Sequence, residues 1–248
     1  MALLACKASS ASTQNPSEQA SGESAQRAAN ESVPVATAAS ASTGNVPLSL
    51  IEGRSGIEDT GFLHITGLIK NDSARWISFA RVDIQLFDAE GKPIGVDSIA
   101  AAEGRGEGTY GLRDNTPPGE SNPFHYIRDV KKLARPYASH KLTAHALYSD
   151  GTTHATVVDV KTDKEQIGKS EYWRTTGTVK NSGRECRYPK AVIAYFDASG
   201  KLYAAREGVD EWDVKQAFPP NATVAFRAGP LDTQGIVKDV KVWGDCRN

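Results

Sequence analysis

Thr66-Gly-Leu-Ile-Lys-Asn71 returns as Thr176-Gly-Thr-Val-Lys-Asn181, and this recurrence decides the fold. Two more segments recur around it. Ile84-Gln-Leu-Phe-Asp88, closed by Gly91-Lys92, returns as Ile193-Ala-Tyr-Phe-Asp197, closed by Gly200-Lys201. Pro117-Pro118 followed by Phe124 returns as Pro219-Pro220 followed by Phe226. The offsets are 110 (66 to 176), 109 (84 to 193) and 102 (117 to 219). Order is kept and only loop lengths drift, which marks a tandem copy of one unit.

The repeated segments read as strands and turns. Val82, Ile84 and Leu86 alternate with polar neighbours, the pattern of a half-buried strand. Asp88 to Gly91 supplies a hairpin loop, and Lys92 to Val96 begins a return strand. Leu63, Ile65 and Gly67 oppose His64, Thr66 and Leu68 on another strand. Phe124–Ile127 and Leu142–Leu147 read as later strands. Thr153–Val160 reads as the first strand of the second copy, matching Val46–Ile51 of the first, which puts the break at Ser149-Asp150-Gly151. A short helix is expected over Ile127–Ala134, ahead of Pro136, and Gly104-Arg-Gly-Glu-Gly108 reads as a flexible loop. In the second copy Ala191, Ile193 and Tyr195 are apolar, and so are Val192, Ala194 and Phe196. A strand apolar on both faces is covered on both, here by the first copy or by a partner. The expected fold class is all-β: two tandem immunoglobulin-like antiparallel β-sandwiches, residues 46–151 and 152–248, after a disordered N-terminal tether.

The combination of Gly-x-Ile/Val-Lys-Asn, a strand ending Leu-Phe-Asp or Tyr-Phe-Asp, a Gly-Lys turn and a Pro-Pro loop before a Phe strand resembles the FxLYD domain. That family is named for a Phe-x-Leu-Tyr-Asp strand. Both copies here begin that strand with isoleucine, Ile84 and Ile193, and the second has Pro220-Asn-Ala where the first has Pro118-Gly-Glu. The resemblance spans nearly all of residues 46–248. It implies an immunoglobulin-like sandwich in an envelope protein, often a lipoprotein, with no catalytic residues to transfer.

The N-terminus points the same way. Leu3-Leu4-Ala5-Cys6 fits the end of a bacterial lipoprotein signal, with Cys6 as the residue to be acylated. Residues 1–6 lack the basic and longer apolar regions of a full signal, as a truncated leader or a start read too late would give. Residues 7–45 are rich in Ala, Ser, Gln, Asn and Glu, too poor in large apolar residues to offset ordering entropy, and read as the tether. The plain alternative is a disordered terminus with an incidental cysteine. Lys7 after the cysteine is not the aspartate of inner-membrane retention, so the expected location is the cell envelope, lipid-anchored at the outer membrane or facing the periplasm. The other two cysteines, Cys186 and Cys246, both fall in the second copy. They form either one disulfide or two free thiols, and export favours the disulfide.

Composition narrows function by exclusion. A net charge of -1 over 248 residues gives no pull toward nucleic acid. No phosphate loop, dinucleotide fingerprint or nucleophile elbow appears. The five histidines, His64, His125, His140, His145 and His154, form no metal-spacing cluster and are expected at solvent-facing strand positions. Asn71 and Asn181 are expected to cap turns through their own backbone. Asp88 and Asp197 lack the oxygen spacing of a calcium loop. No cofactor, metal or catalytic residue is assigned. The one recognition candidate is Asp210-Glu211-Trp212-Asp213, an aromatic ringed by acids in a segment where the copies differ. It reads either as a contact for a basic partner or a sugar, or as an indole tucked over the sandwich edge. The expected function is a non-catalytic envelope lipoprotein that binds a protein or envelope component. The alternatives are a structural accessory of an envelope or secretion complex and, less favoured, an unrecognised hydrolase.

Overall fold

A computed structural model describes residues 46–94, 107–208, 216–232 and 235–247. In the first copy the strands are β1 (Leu48–Ile57), β2 (Phe62–Asn71), β3 (Ile77–Phe87), β4 (Pro93–Ile94), β5 (Glu107–Tyr110), β6 (Asn115–Thr116), β7 (Ser121–Asp129) and β8 (Ser139–Tyr148). In the second they are β9 (Ala155–Ile167), β10 (Ser170–Asn181), β11 (Lys190–Asp197), β12 (Leu202–Gly208), β13 (Thr223–Asp232) and β14 (Val237–Asp245). All pairings between them are antiparallel, and the fold is all-β.

The two copies share one connectivity. The first strand pairs with the second, which pairs with the strand after the Pro-Pro loop: β1-β2-β7 and β9-β10-β13. The third strand pairs on one edge with the last strand of its copy and on the other with the strands next in sequence. That gives β8 against β3 with β4, β5 and β6 opposite, and β14-β11-β12. Each copy has its own apolar interior. Leu63, Ile65, Ile84 and Phe124 centre the first, and Ile193, Tyr195, Phe218 and Phe226 the second.

The recurring residues are the ones this arrangement needs. Gly67 lies opposite Phe124 and Gly177 opposite Phe226 in the strand register. A Cβ on Gly67 or Gly177 would sit 2.7 Å from that ring, so each glycine makes room for a phenylalanine laid across it. Asn71 and Asn181 are fully buried polar plugs. Asn71 Nδ2 donates to the carbonyls of Arg75 (2.8 Å) and Thr116 (3.0 Å), and its Oδ1 accepts from the Ser73 N–H and hydroxyl. Asn181 repeats this with Arg184 (2.9 Å), Phe218 (2.7 Å) and the Gly183 N–H. Both asparagines cap turns, as expected, and also span the sandwich end by satisfying a carbonyl of the Pro-Pro segment. The carboxylates of Asp88 and Asp197 accept the N–H groups of Lys92 and Lys201 across their hairpins. Asn221 takes φ 66° where Gly119 has 76°, so the second copy keeps the left-handed turn with the other residue type that tolerates it.

Three expectations need correction. The helix over Ile127–Ala134 is a single 3-10 turn, Val130–Lys132, because Ile127 and Arg128 stay in the β7 ladder opposite His64 and Leu63. The glycine-rich loop ends in strand: Glu107 and Gly108 pair with Ile84 and Asp83 of β3. The histidines are not all solvent-facing. His140 is buried beneath Tyr137, whose hydroxyl lies 2.8 Å from its Nδ1, and His64 lies 3.0 Å from His125.

Residues Cys186 and Cys246 form a disulfide that ties the loop before β11 to the end of β14. It closes 60 residues of sequence, and in the chain-entropy picture it stabilises the fold by about 4 kcal/mol. Replacing Asn71 or Asn181 by alanine removes at least three hydrogen bonds of the plug, at about 1 kcal/mol each, and should cost about 3 kcal/mol in urea unfolding. A loss below about 1 kcal/mol for both variants would show that the plugs are dispensable.

Candidate functional site

The site is built at the seam between the copies. The outward face of the β11–β12 sheet is apolar: Ala194, Phe196, Leu202 and Ala205 are buried there against Leu68 and Leu112 of the first copy. This settles the two-sided pattern of β11, whose second face is covered by the first copy. Polar contacts fix the docking. Thr66 Oγ1 donates to the Leu202 carbonyl at 2.7 Å. A Cβ on Gly53 would lie 2.5 Å from the same carbonyl, so only glycine permits the approach. At the other end the Asp245 carboxylate accepts the main-chain N–H groups of Asp114 and Asn115. The Asn115 side chain donates to the Cys246 carbonyl (3.1 Å), and Lys190 Nζ lies 2.9 Å from Asp114 and 2.7 Å from Glu207.

Beside this seam lies a cleft of about 490 Å³ with Trp76, Arg113 and Pro117 on one side and Val157, Val242 and Trp243 on the other. Its size, its aromatic and apolar walls and the charged groups of Arg113, Glu120 and Asp245 among them fit a binding site at a junction of domains. Trp76 is set by the turn between the copies. Gly151 has φ 67°, and a Cβ there would lie 2.5 Å from the indole, so the bare glycine lets the chain close over the ring. The His154 ring packs 5.3 Å away. Trp243 lies opposite Val192 in the β11–β14 ladder. The Arg113 side chain is only 5% exposed, with its guanidinium 5.5 Å from the Trp243 ring centre. It donates through Nη1 to Glu120 (2.6 Å) and the Ser121 carbonyl, while its Nε has no partner among the described residues.

A second groove follows the seam along β12, where Arg54, Glu58, His64 and His125 of the first copy face Tyr203 and Arg206. Glu58 lies 3.2 Å from both Arg54 and His64. Burial lowers the His125 pKa to about 4, and the neighbouring His64, Arg206 and Arg54 push the same way against the Ala205 main chain. Burial also lowers His64, opposed by Glu58. His140, inside the first copy, falls to about 4 through burial alone. Asp245 moves oppositely: burial and the Asp114 carboxylate raise it to about 7, opposed by Lys190.

Of the residues singled out in the sequence, Cys186 and Cys246 are joined. Cys6 and the segment Asp210, Glu211, Trp212 and Asp213 lie outside the described residues. The cleft residues Trp76, Arg113 and Trp243 carry no motif, because distant segments supply them. No group of three metal-ligating side chains occurs among the described residues, and no described helix is long and apolar enough to cross a membrane. No known family model matches the chain, and no curated protein does.

The titrations give a pH signature. His125 and His140 have folded pKa values below the free value of 6.5, so the stability they support is present above about 6.5 and is lost as the pH falls toward about 4. Asp245 has a folded pKa above 3.8, so its contribution is present below 3.8 and is lost as the pH rises through about 7. Urea midpoints measured across this range should show a flatter acid limb in His140→Gln and a flatter neutral limb in Asp245→Asn. Parallel profiles in wild type and both variants would contradict these assignments.

Proposed function

We propose that the chain is a non-catalytic binding protein of the bacterial cell envelope, anchored by lipid at Cys6 and presenting two FxLYD-like repeats to a protein or envelope component. The observation that carries the binding role is the aromatic cleft between the copies, walled by Trp76 and Trp243. Its floor comes from both repeats, so the tandem offers a surface that neither repeat makes alone. Anchoring rests on the Leu3-Leu4-Ala5-Cys6 match and the Ala/Ser-rich stretch after it. Several acyl chains on one cysteine would hold the protein firmly at a membrane.

A hydrolase is the second reading. The observation favouring it is the convergence of Glu58, His64 and His125, linked at 3.2 and 3.0 Å in the β12 groove. A carboxylate-oriented imidazole is the arrangement of a general base. The lining residues supply one hydroxyl, that of Tyr203, so such a base would act on water. Ester or phosphoester hydrolysis that disappears in His125→Gln would establish this reading, and rates equal in wild type and variant would remove it.

The binding reading is tested in cells. A photo-crosslinking residue at Pro117 should give a discrete adduct. Thr156→Arg, which places a long side chain at the exposed lip of the cleft, should abolish that adduct while the melting temperature holds. An unchanged adduct in Thr156→Arg would reject the cleft as the site. Labelling with a fatty-acid analogue should mark the full-length precursor's product and be lost in Cys6→Ser; label retained in that variant would reject the anchor.

A further inference from the structure

We propose that the Cys186–Cys246 disulfide is the lock of the dock between the repeats, so that its reduction loosens the dock while both sandwiches stay folded. The inference stands on the seam alone and does not depend on what the cleft binds. The sandwich as such does not require the bridge. The first copy has the same connectivity, and residues 46–151 contain no cysteine. At the offset of 109 Ile77 stands in the place of Cys186, fully buried opposite Tyr148 in the β3–β8 ladder. What the bridge holds instead is the segment where β14 leaves its sheet. The β11–β14 ladder ends with Lys190 opposite Asp245. From there three consecutive residues each reach the first copy. Asp245 accepts the main-chain N–H groups of Asp114 and Asn115. The Cys246 carbonyl accepts from the Asn115 side chain at 3.1 Å, and the Arg247 guanidinium lies 3.5 Å from the Asp114 carboxylate.

The other cysteine carries the other half of the grip. Lys190, four residues after Cys186, places its Nζ 2.9 Å from Asp114. The Arg187 N–H donates to the Arg247 carbonyl at 2.8 Å, and the Tyr188 ring centre lies 4.6 Å from the Arg247 guanidinium. One disulfide therefore joins the two arms that close on Asp114 and Asn115. With the bond broken, the arm beyond the ladder regains its freedom, and each contact it makes must again overcome that entropy. Both cysteines are fully buried, so a reductant reaches the sulfurs only when this segment opens. A dithiol reductant then breaks the Sγ–Sγ bond and closes to its own disulfide. Two electrons and two protons pass to Cys186 and Cys246, which become thiols. Linkage makes the effect reciprocal: if reduction loosens the dock, the dock resists reduction by the same factor.

The test is amide hydrogen exchange of the full chain, oxidised and as the double variant Cys186→Ala, Cys246→Ala. The main-chain N–H groups of Asp114 and Asn115, which lie in the first copy, should exchange about tenfold faster in the variant. Val179, fully buried in the central strand β10, should keep its protection and so report a folded second sandwich. Unchanged exchange at Asp114 and Asn115 would overturn the proposal. Loss of protection at Val179 together with them would also overturn it, because the bridge would then serve the second sandwich as a whole. The converse variant leaves both cysteines in place. Asn115→Ala removes the donor to the Cys246 carbonyl, and dithiothreitol should then reduce the disulfide about tenfold faster, followed as the mass gain of two hydrogens. A reduction rate equal to that of the wild type would overturn the reciprocal claim and the proposal with it.

Discussion

Burial of the outer face of the β11–β12 sheet against the first repeat is the constraint on which the rest depends. A β-sandwich of this size needs one covered face per sheet, and Ala194, Phe196, Leu202 and Ala205 form a second. Left in water, that face would be an exposed apolar patch of the kind that marks an interface. Leu68 and Leu112 cover it, and the close approach at Gly53 and the Thr66 hydroxyl fix where they sit. Both repeats consequently belong to one compact unit, although each keeps a separate interior. The cleft is a product of this docking, since Trp76 and Trp243, both in its lining, come from different repeats.

The duplicated residues and the site residues divide by role. The recurring set maintains the sandwich: the glycine under the phenylalanine, the asparagine plug, the aspartate that closes the hairpin. The divergent set builds the seam and the cleft. At the offset of 109, Trp76 meets Glu185 and Phe79 meets Tyr188. Phe79 itself is 64% exposed at φ 50°, on the irregular stretch between Ser78 and Arg81 where the β3–β8 register shifts. A duplicated scaffold is held to its fold by the shared set and is free to specialise through the rest.

Much of the fold was legible because its signals are local. Val82, Ile84 and Leu86 alternate into the core as their period requires, and Asp88 with Gly91 closes the hairpin that its spacing implies. The double-sided pattern of β11 foretold a cover on its second face. The Cys186–Cys246 bridge was expected from two cysteines sharing one repeat. The cleft was not legible, because residues 76, 113, 117, 157, 242 and 243 are neighbours only after two sandwiches dock. Neither was the His64–His125 contact, which depends on the β2–β7 register placing His64 opposite Ile127 and His125 opposite Thr66. The helix expected near Ile127 shows the converse: local helical preference yields to ladder pairing wherever a partner strand is present.

Scanning calorimetry of the intact chain and of Ala205→Arg, which drives a charged side chain into the covered face, tests the central claim most directly. Coupled repeats predict one cooperative transition in the intact chain, with calorimetric and van't Hoff enthalpies equal, and two separated transitions in the variant. Two independent transitions already present in the intact chain, unmoved by the substitution, would contradict it.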